Sequence, residues 1–323
     1  MSSILQDASE RSNLAGQNKF ELLLFKLGSR NGEDRNEIFG INVFKIREIV
    51  AMPAITPIAG SNPRLLGVVN LRGEIIPVLD LPVIAGCSPE KGLNIMLVTE
   101  FAGSTQAFAV ESVDEIVRLD WSQVLSAEGT SGEGIVASIA RLDGAADHSR
   151  LVQVLDVETI VRINAPKSEF DSNQEIGMDR VILDEGKIII AADDSTVARA
   201  LIEQGLMAMG LPFQMMKTGK EVWERLLVLV QESNLSGGNV SDRVALVLTD
   251  LEMPEMDGFT LTKNIKEHSA LKNIPVVIHS SLSGVTNEAK VKDVGADGYV
   301  AKFAAPELAK VIKQVLNRAR PAH

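Results

Sequence analysis

The second half of the chain alternates short, wholly apolar runs with segments that have a helical hydrophobic period. Strands that are apolar on both faces and separated by helices are typical of a parallel sheet covered on both sides. The pattern therefore predicts a (βα)5 arrangement after residue 186. The apolar runs are KIIIAA, FQMMKT, RVALVLTD, VVIHS and GYVAK, and the helical segments that follow them begin near residues 195, 221, 257, 286 and 306.

Four of these apolar runs lead directly into polar side chains. Asp193 and Asp194 follow the first run, Asp250 ends the third, Ser280 ends the fourth and Lys302 ends the fifth. Open parallel α/β sheets bind ligands outside the carboxyl ends of their strands. The five side chains are therefore expected to converge on one rim of the sheet.

The residue types at this rim fit phosphoryl transfer onto a carboxylate. Clustered carboxylates repel one another, and a hard divalent cation such as Mg²⁺ relieves the repulsion through oxygen ligands. In this arrangement Asp250 would attack phosphorus, while Mg²⁺ and Lys302 neutralise charge on the phosphoryl oxygens and Ser280 donates a hydrogen bond to one of them. The sequence thus predicts an acyl phosphate on Asp250.

Residues 186–320 resemble a response-regulator receiver domain. The resemblance is carried by the early acidic pair, by Asp250 with its following MPEMDG, by the hydroxyl and by the lysine. It implies a flavodoxin-like fold in which Asp194, Asp250 and the backbone carbonyl of Glu252 bind Mg²⁺ directly. Asp193 would act mostly through water.

The same resemblance implies a switch and contains two departures. Tyr299, the only tyrosine of the chain, matches the aromatic residue that turns inward as Ser280 moves toward the phosphate. The family usually has proline where Phe303 stands, and a cis bond before phenylalanine would cost roughly 3–4 kcal/mol, so a trans loop is expected. Ser281 and Glu252 occupy positions that tune the lifetime of the phosphoryl group.

The sequence pattern of the first half of the chain is typical of all-β structure. Between residues 19 and 164, short apolar runs, many with period two, are separated by Gly, Pro, Ser and Asn. One helix is predicted over residues 43–50, where four apolar side chains fall on one face. The triplet Val-Leu-Asp at residues 78–80 recurs at residues 154–156, which indicates two related β subdomains.

This β-rich half resembles the CheW-type coupling domain of bacterial chemotaxis, chiefly through GVVNLRG at residues 67–73. The resemblance implies two SH3-like β-barrels that bind the cytoplasmic tips of chemoreceptors and the chemotaxis histidine kinase. Arg72, at a predicted turn, is the first candidate contact, because a guanidinium supports directional interfacial hydrogen bonds. An ion pair with Glu74 is the structural alternative. Leu71 and Val69 are further candidates that could equally belong to the core.

The order of the two halves resembles that of CheV, a family of hybrid chemotaxis coupling proteins. The predicted organisation is a flexible N-terminus over residues 1–18, a coupling domain over 19–164, a polar and acidic linker over 165–185 and a receiver domain over 186–323. The resemblance implies a signalling adaptor regulated by phosphorylation of Asp250.

Composition removes several other classes of function. A net charge of −11 argues against nucleic-acid partners, which need a basic face. The lone Cys87 and four histidines offer neither a disulfide nor a zinc cluster. A signal peptide and a long uncharged apolar run are both lacking, which predicts a cytoplasmic protein without direct membrane insertion. By resemblance, it would work in chemoreceptor arrays at the inner face of the membrane.

Two further functions compete with the regulated adaptor. The receiver half could drain phosphoryl groups from the kinase as a sink, leaving coupling unchanged. Alternatively, an aspartate after a strand also begins the chemistry of aspartyl-phosphate hydrolases, with Glu252 as the proton donor two residues on. The Asp193-Asp194 pair and the MPEMDG turn fit a receiver better, so the expected protein is a phosphoacceptor rather than an enzyme.

Overall fold

Period-two patterning in the first half and continuous apolar runs in the second produce two different sheet architectures in the computed structural model of the chain. The described residues form two compact units, one ending at residue 164 and the other starting at residue 182. The structure describes residues 19–30, 36–101, 104–127, 134–143, 150–164, 182–280, 291, 293–301 and 305–319.

The first unit is built almost entirely of strands. Two short helices, α1 (Leu81–Ala85) and α2 (Val157–Asn164), follow strands β5 and β12. The strands are β1 (Lys19–Arg30), β2 (Asn36–Asn42), β3 (Ile46–Ala51), β4 (Leu65–Leu71), β5 (Glu74–Asp80), β6 (Cys87–Ser88), β7 (Ile95–Phe101), β8 (Ser104–Val110), β9 (Ser112–Asp120), β10 (Val124–Ser126), β11 (Val136–Arg141) and β12 (Leu151–Leu155).

These strands form two sheets with the same internal path. One sheet runs β4-β5-β8-β7-β3, and the other runs β10-β11-β12-β2-β1-β6, with β9 also paired to β1. The run β4-β5-β8-β7 of the first sheet corresponds to β11-β12-β2-β1 of the second. In each sheet, two antiparallel hairpins are joined through one parallel pair, β5 with β8 or β12 with β2. The parallel pairing gives β5 and β12 equivalent places in the two sheets.

The repeated Val-Leu-Asp triplet ends these two equivalent strands. Asp80 accepts a hydrogen bond from the Val83 amide at 3.0 Å and so caps α1. Asp156 accepts one from the Thr159 amide, also at 3.0 Å, at the start of α2. The triplet therefore marks the same strand-to-helix junction in both sheets, as expected for related subdomains.

The helix predicted over residues 43–50 is wrong. Only Val43–Lys45 form a short 3-10 turn, and the following residues form β3, which pairs with β7 from Ile46 opposite Thr99 onward. The apolar spacing suits a helix, but Ile46, Ile49 and Val50 are β-branched and favour extended backbone. Pairing with β7 decides the outcome for so short a segment.

The second unit is a parallel sheet with helices on both faces, which confirms the predicted fold class. The strand order is β14-β13-β15-β16-β17, and every neighbouring pair is parallel. The elements are β13 (Ile188–Ala192), α3 (Thr196–Ala208), β14 (Phe213–Met216), α4 (Gly219–Ser236), β15 (Val244–Asp250), α5 (Gly258–Glu267), β16 (Val276–Ser280), β17 (Gly298–Ala301) and α6 (Ala305–Ala319).

Two buried clusters hold this second sheet between its helices. On one face, α4 and α5 contribute Leu226 and Leu261 to a core that includes Val247 of β15. On the other face, α3 and α6 contribute Ile202 and Ile312 to a separate core. The order of the strands reverses around β13, so the crevice at the carboxyl ends of β13 and β15 is where a ligand site is expected.

Five predictions fall outside the described residues, namely those for the N-terminus over residues 1–18, most of the linker, Ser281, most of the helix near residue 286, and Lys302 with its neighbour Phe303. Of the helices that the structure does describe, none combines the length and the apolar character needed to cross a membrane.

Candidate functional site

Three carboxylates meet at the carboxyl ends of β13 and β15. One oxygen from each of Asp193, Asp194 and Asp250 lies within 4.8 Å of the other two. Asp193 is fully buried, Asp250 is 2% exposed and Asp194 is half-buried. The cluster forms because the parallel register places Ala192 beside Thr249, so that both strands end at the same edge.

The backbone of the acidic pair is held by the first turn of α3. The Asp193 carboxylate accepts a hydrogen bond from the Ser195 amide at 2.9 Å. The Arg199 guanidinium donates to the backbone carbonyls of Asp193 at 3.0 Å and Asp194 at 2.8 Å. Arg199 therefore fixes the strand end that carries two of the three acids. The sequence analysis did not single out Arg199, because its acceptors are main-chain carbonyls, which leave no mark in the sequence.

The phosphoacceptor candidate Asp250 is held by its own neighbours. Its carboxylate accepts a hydrogen bond from the Leu251 amide at 2.7 Å, and the Thr249 hydroxyl donates to its backbone carbonyl at 3.0 Å. The chain then folds back, since the Gly258 amide donates to the Leu251 carbonyl at 2.9 Å. Hydrogen bonds from neighbouring residues therefore hold both the side chain and the backbone of Asp250 where β15 passes into the turn.

The turn after Asp250 is closed by an aspartate at the start of α5. Asp257 accepts hydrogen bonds from the Thr260 amide at 2.7 Å and from the Thr260 hydroxyl at 2.9 Å. Burial raises the pKa of the Asp257 carboxyl above its ordinary value, and these hydrogen bonds oppose the rise. Glu255 occupies the left-handed region at φ 63° and pairs with Lys220 at 2.8 Å. The turn is therefore tied to both α4 and α5.

The remaining predicted residues of the site lie on neighbouring strands. Ser280, 1% exposed, ends β16, whose last pair with β15 sets His279 opposite Asp250. Glu252 follows two residues after Asp250 and is 9% exposed. Tyr299, half-buried on β17, packs against a cluster that includes Ile278. The functional roles of Ser280, Glu252 and Tyr299 stay predictions, as does that of Lys302, which lies outside the described residues.

The acid cluster fits a hard divalent cation. Carboxylate oxygens are the ligands that such ions prefer. One carboxylate oxygen of Asp194 is shielded from solvent and accepts no hydrogen bond from any residue that the structure describes. A buried oxygen without a donor is costly, and a cation between the three acids would satisfy it and reduce their mutual repulsion.

In the first unit, Arg72 occupies the tip of the β4-β5 hairpin. Its φ is 53°, and the turn is closed by the Gly73 amide, which donates to the Asn70 side chain at 2.9 Å. The Arg72 side chain is 76% exposed and pairs with Glu48 at 2.9 Å, whereas Glu74 pairs with Arg47 at 3.3 Å. The guanidinium is thus presented to solvent on a fixed hairpin.

The other two candidates on this hairpin differ in exposure. Leu71 is half-buried, and Val69 is 2% exposed within the core, so an effect of Val69 on a partner would act through the position of β4. Sequence reasoning missed two exposed isoleucines, Ile75 on β5 at 70% and Ile58 in the segment before β4 at 44%. Strand alternation carries the signal for Ile75, because its neighbour Ile76 is buried.

Gly67 allows the hairpin to lie against the preceding segment. Its φ of 143° and a 2.2 Å approach of a hypothetical Cβ to the Thr56 carbonyl both exclude a side chain. Thr56 and Val68 exchange two backbone hydrogen bonds at this point, of 2.8 and 2.9 Å. The glycine of the GVVNLRG run is therefore a structural requirement of the hairpin that presents Arg72.

Comparison with known proteins finds a matching domain family for each unit. The family model of the CheW-like domain matches residues 21–164, and that of the response regulator receiver domain matches residues 189–313. Chemotaxis protein CheV2 of Helicobacter pylori is 27% identical over an alignment of 330 positions, and the alignment covers 97% of this chain and 100% of that protein.

Two further similarities concern the separate units. Two-component response regulator ORR11 of Oryza sativa subsp. indica is 34% identical over 129 residues, covering 40% of this chain and 80% of that protein. The crystal structure of scaffolding protein TtCheW from Thermoanaerobacter tengcongensis has 22% identity and a TM-score of 0.38, covering 46% of this chain and 95% of that one. The chain therefore consists of a CheW-like domain followed by a response regulator receiver domain, and over nearly its whole length it is similar to a CheV chemotaxis protein.

Proposed function

We propose that this protein is an adaptor that couples chemoreceptors to the chemotaxis histidine kinase, and that Mg²⁺-dependent phosphorylation of Asp250 regulates the coupling. The observation that carries the proposal is the meeting of three carboxylate oxygens within 4.8 Å at the strand ends of the receiver unit. The protein would act in receptor arrays at the inner face of the membrane. In this proposal it is a phosphoacceptor rather than an enzyme of multiple turnover.

The proposed reaction transfers a phosphoryl group from a phosphohistidine of the kinase. A carboxylate oxygen of Asp250 forms a bond to phosphorus while the phosphorus–nitrogen bond breaks, and the histidine nitrogen leaves with its electron pair. Ser280 would donate a hydrogen bond to a phosphoryl oxygen, and Lys302 would neutralise part of its charge. The hydrogen bond from the Leu251 amide keeps the Asp250 carboxylate oriented at the strand end.

The residues that would hold Mg²⁺ are Asp194, Asp250 and the backbone carbonyl of Glu252, with Asp193 acting through water. A bound Mg²⁺ would neutralise charge that develops on the transferred group. Arg199 supports this arrangement indirectly, because it fixes the carbonyls of Asp193 and Asp194 rather than contacting the phosphoryl group.

Phosphotransfer stoichiometry tests this chemistry. The full chain is incubated with ³²P-phosphorylated kinase in Mg²⁺ and then in excess EDTA. We expect at most one phosphoryl group per chain, labile to hydroxylamine as an acyl phosphate is, and no labelling in EDTA. Multiple turnover of a phosphate monoester by the chain would instead establish the hydrolase and overturn the proposal.

Reconstitution with receptor-containing membranes separates the regulated adaptor from the phosphate sink. Receptor-dependent kinase activity is measured with the chain before and after it is loaded by a beryllofluoride phosphate mimic, which cannot drain label. A change in activity on loading supports regulated coupling. Unchanged activity, together with efficient drainage of label from the kinase, would favour the sink.

The coupling half makes a separate prediction at Arg72. Arg72→Ala is expected to weaken binding of the chain to the kinase or to receptor membranes by roughly tenfold, about 1.4 kcal/mol, the size expected for an interfacial arginine. Sedimentation with receptor membranes and kinase measures the effect. The matched control is Arg47→Ala, which removes a half-exposed arginine from strand β3 of the same unit. Equal losses in both variants would show that only surface charge is being sensed.

A further inference from the structure

A cavity of about 760 Å³ lies at the opposite end of the receiver sheet from Asp250. It opens where β16 and β17 begin, and its walls come from these strand ends and from α5 and α6. Cavities that bind small molecules have volumes of about 300–1,000 Å³. The cavity is therefore large enough for a ligand of nucleotide size, and none of the proposed phosphorylation chemistry uses this end of the sheet.

The floor of the cavity is fixed by one ion pair. A carboxylate oxygen of Asp297 accepts hydrogen bonds from the Lys266 ammonium and from the Val276 amide, both at 2.7 Å. The Lys266 ammonium also donates to the Ile274 carbonyl at 2.9 Å. Lys266 and Asp297 thus neutralise each other and hold the N-terminal ends of β16 and β17 in place.

Two more cations line the same cavity without such neutralisation. Lys272, in the loop before β16, and Arg318, near the end of α6, are exposed. In the part of the chain that the structure describes, neither side chain forms an ion pair or a hydrogen bond. In a protein with a net charge of −11, two unneutralised cations at one concave surface create a locally positive potential that attracts anions.

The rest of the wall is apolar and aromatic. Tyr299 lines the cavity from β17, and the buried side chains of Val291 and Val315 also line it. A tyrosine ring offers a flat apolar surface and a polar tip. The cavity therefore combines cations that suit phosphate groups with a surface that suits a planar organic group.

We propose that this cavity binds a small phosphorylated molecule of nucleotide size, with its phosphates at Lys272 and Arg318 and its planar part against Tyr299. Arginine suits phosphate because its planar fork can donate two hydrogen bonds, while lysine contributes a compact charge. The site would give the receiver unit an input separate from Asp250. The proposal does not depend on phosphorylation of the acid cluster.

The sole tyrosine of the chain makes the test specific. Full-length protein labelled with 3-fluorotyrosine carries one ¹⁹F nucleus at Tyr299, which lines the cavity. ADP is titrated in EDTA, so that no divalent ion can draw it to the acid cluster, and adenosine and inorganic phosphate are titrated in parallel. We expect a saturable shift of the ¹⁹F resonance with ADP at a lower concentration than with either fragment.

Variants identify the residues that hold the phosphates. Lys272→Gln with Arg318→Gln is expected to raise the Kd for ADP roughly tenfold, equivalent to about 1.4 kcal/mol. Lys263→Gln with Lys310→Gln removes the same charge from α5 and α6 outside the cavity lining and should leave the Kd within about twofold. Asp250→Asn should bind ADP as the unmodified chain does.

Two results would overturn the proposal. One is the absence of a saturable ¹⁹F shift up to millimolar ADP. The other is an equal loss of affinity in the two double variants, which would show that only the net charge of the surface matters. Because Asp250→Asn removes phosphoryl uptake but not this cavity, failure of one proposal leaves the other measurable.

Discussion

Replacing Asp250 with asparagine is expected to abolish phosphoryl uptake from the phosphorylated kinase. Asp250 ends the central strand β15, is 2% exposed and lies with two other acids within 4.8 Å. An amide of nearly the same shape preserves the packing but lacks the anionic oxygen that attacks phosphorus. Acid-stable and hydroxylamine-labile label on the full chain measures the loss. We expect the signal to fall to background at every Mg²⁺ concentration.

Asp194→Asn is the matched control for this experiment. It removes one charge from the same cluster but leaves the nucleophile, so uptake should persist and require a higher Mg²⁺ concentration. Labelling of the Asp250→Asn chain at the level of the unmodified chain would show that another residue accepts the phosphoryl group. Loss of label in both variants with no recovery at high Mg²⁺ would mean that the charge of the cluster, rather than one nucleophile, is needed.

The receiver unit could be predicted from the sequence because the same feature, an apolar run that ends in a polar residue, indicates both a strand and a site residue. A run that is apolar on both faces must lie between two helical layers, and the polar residue that ends it must then lie at the rim of the sheet. The structure places Asp193 and Asp250 at those strand ends. The convergence of side chains from distant positions thus follows from the topology alone.

Arg199 could not be predicted in the same way. Its function is to donate to the main-chain carbonyls of Asp193 and Asp194, and main-chain acceptors leave no mark in a sequence. The cavity beside Tyr299 was missed for a related reason. Its residues come from the N-terminal ends of two strands and from two helices, and no regular spacing in the sequence indicates that they meet.

The first unit shows where periodicity fails. Over residues 43–50 the apolar spacing fits a helical face, yet most of the segment is β3, because β7 offers a partner and three residues of β3 are β-branched. Long-range pairing of this kind is not encoded in a window of eight residues. The Val-Leu-Asp triplet is informative by contrast, since it records a local strand-to-helix junction that occurs twice.

Gly258→Ala is expected to impair both the stability of the receiver unit and its phosphoryl uptake. A Cβ at Gly258 would lie 2.2 Å from the Asp250 carbonyl oxygen and 3.1 Å from the Leu251 Cα. Both contacts are main-chain, so relief requires a shift of β15 against the start of α5. Overpacking of this type costs about 1–3 kcal/mol. Because the same shift moves the Asp250 carboxylate away from Asp193 and Asp194, uptake should slow by at least roughly tenfold, the change that about 1.4 kcal/mol in the barrier produces.

Gly237→Ala separates lost stability from lost geometry. Gly237 ends α4 at φ 73° with no atom within 4 Å of a hypothetical Cβ, so alanine there costs about 1 kcal/mol of backbone strain far from the acids. Urea unfolding followed by Trp223 fluorescence, in a Trp121→Phe background, gives the stability of the receiver unit in each variant. Initial rates of labelling are then compared per folded chain. Slow labelling in Gly258→Ala alone supports the close approach of Gly258 as the feature that positions Asp250, whereas equal rates in the two variants would show that the turn tolerates a side chain without moving the acid.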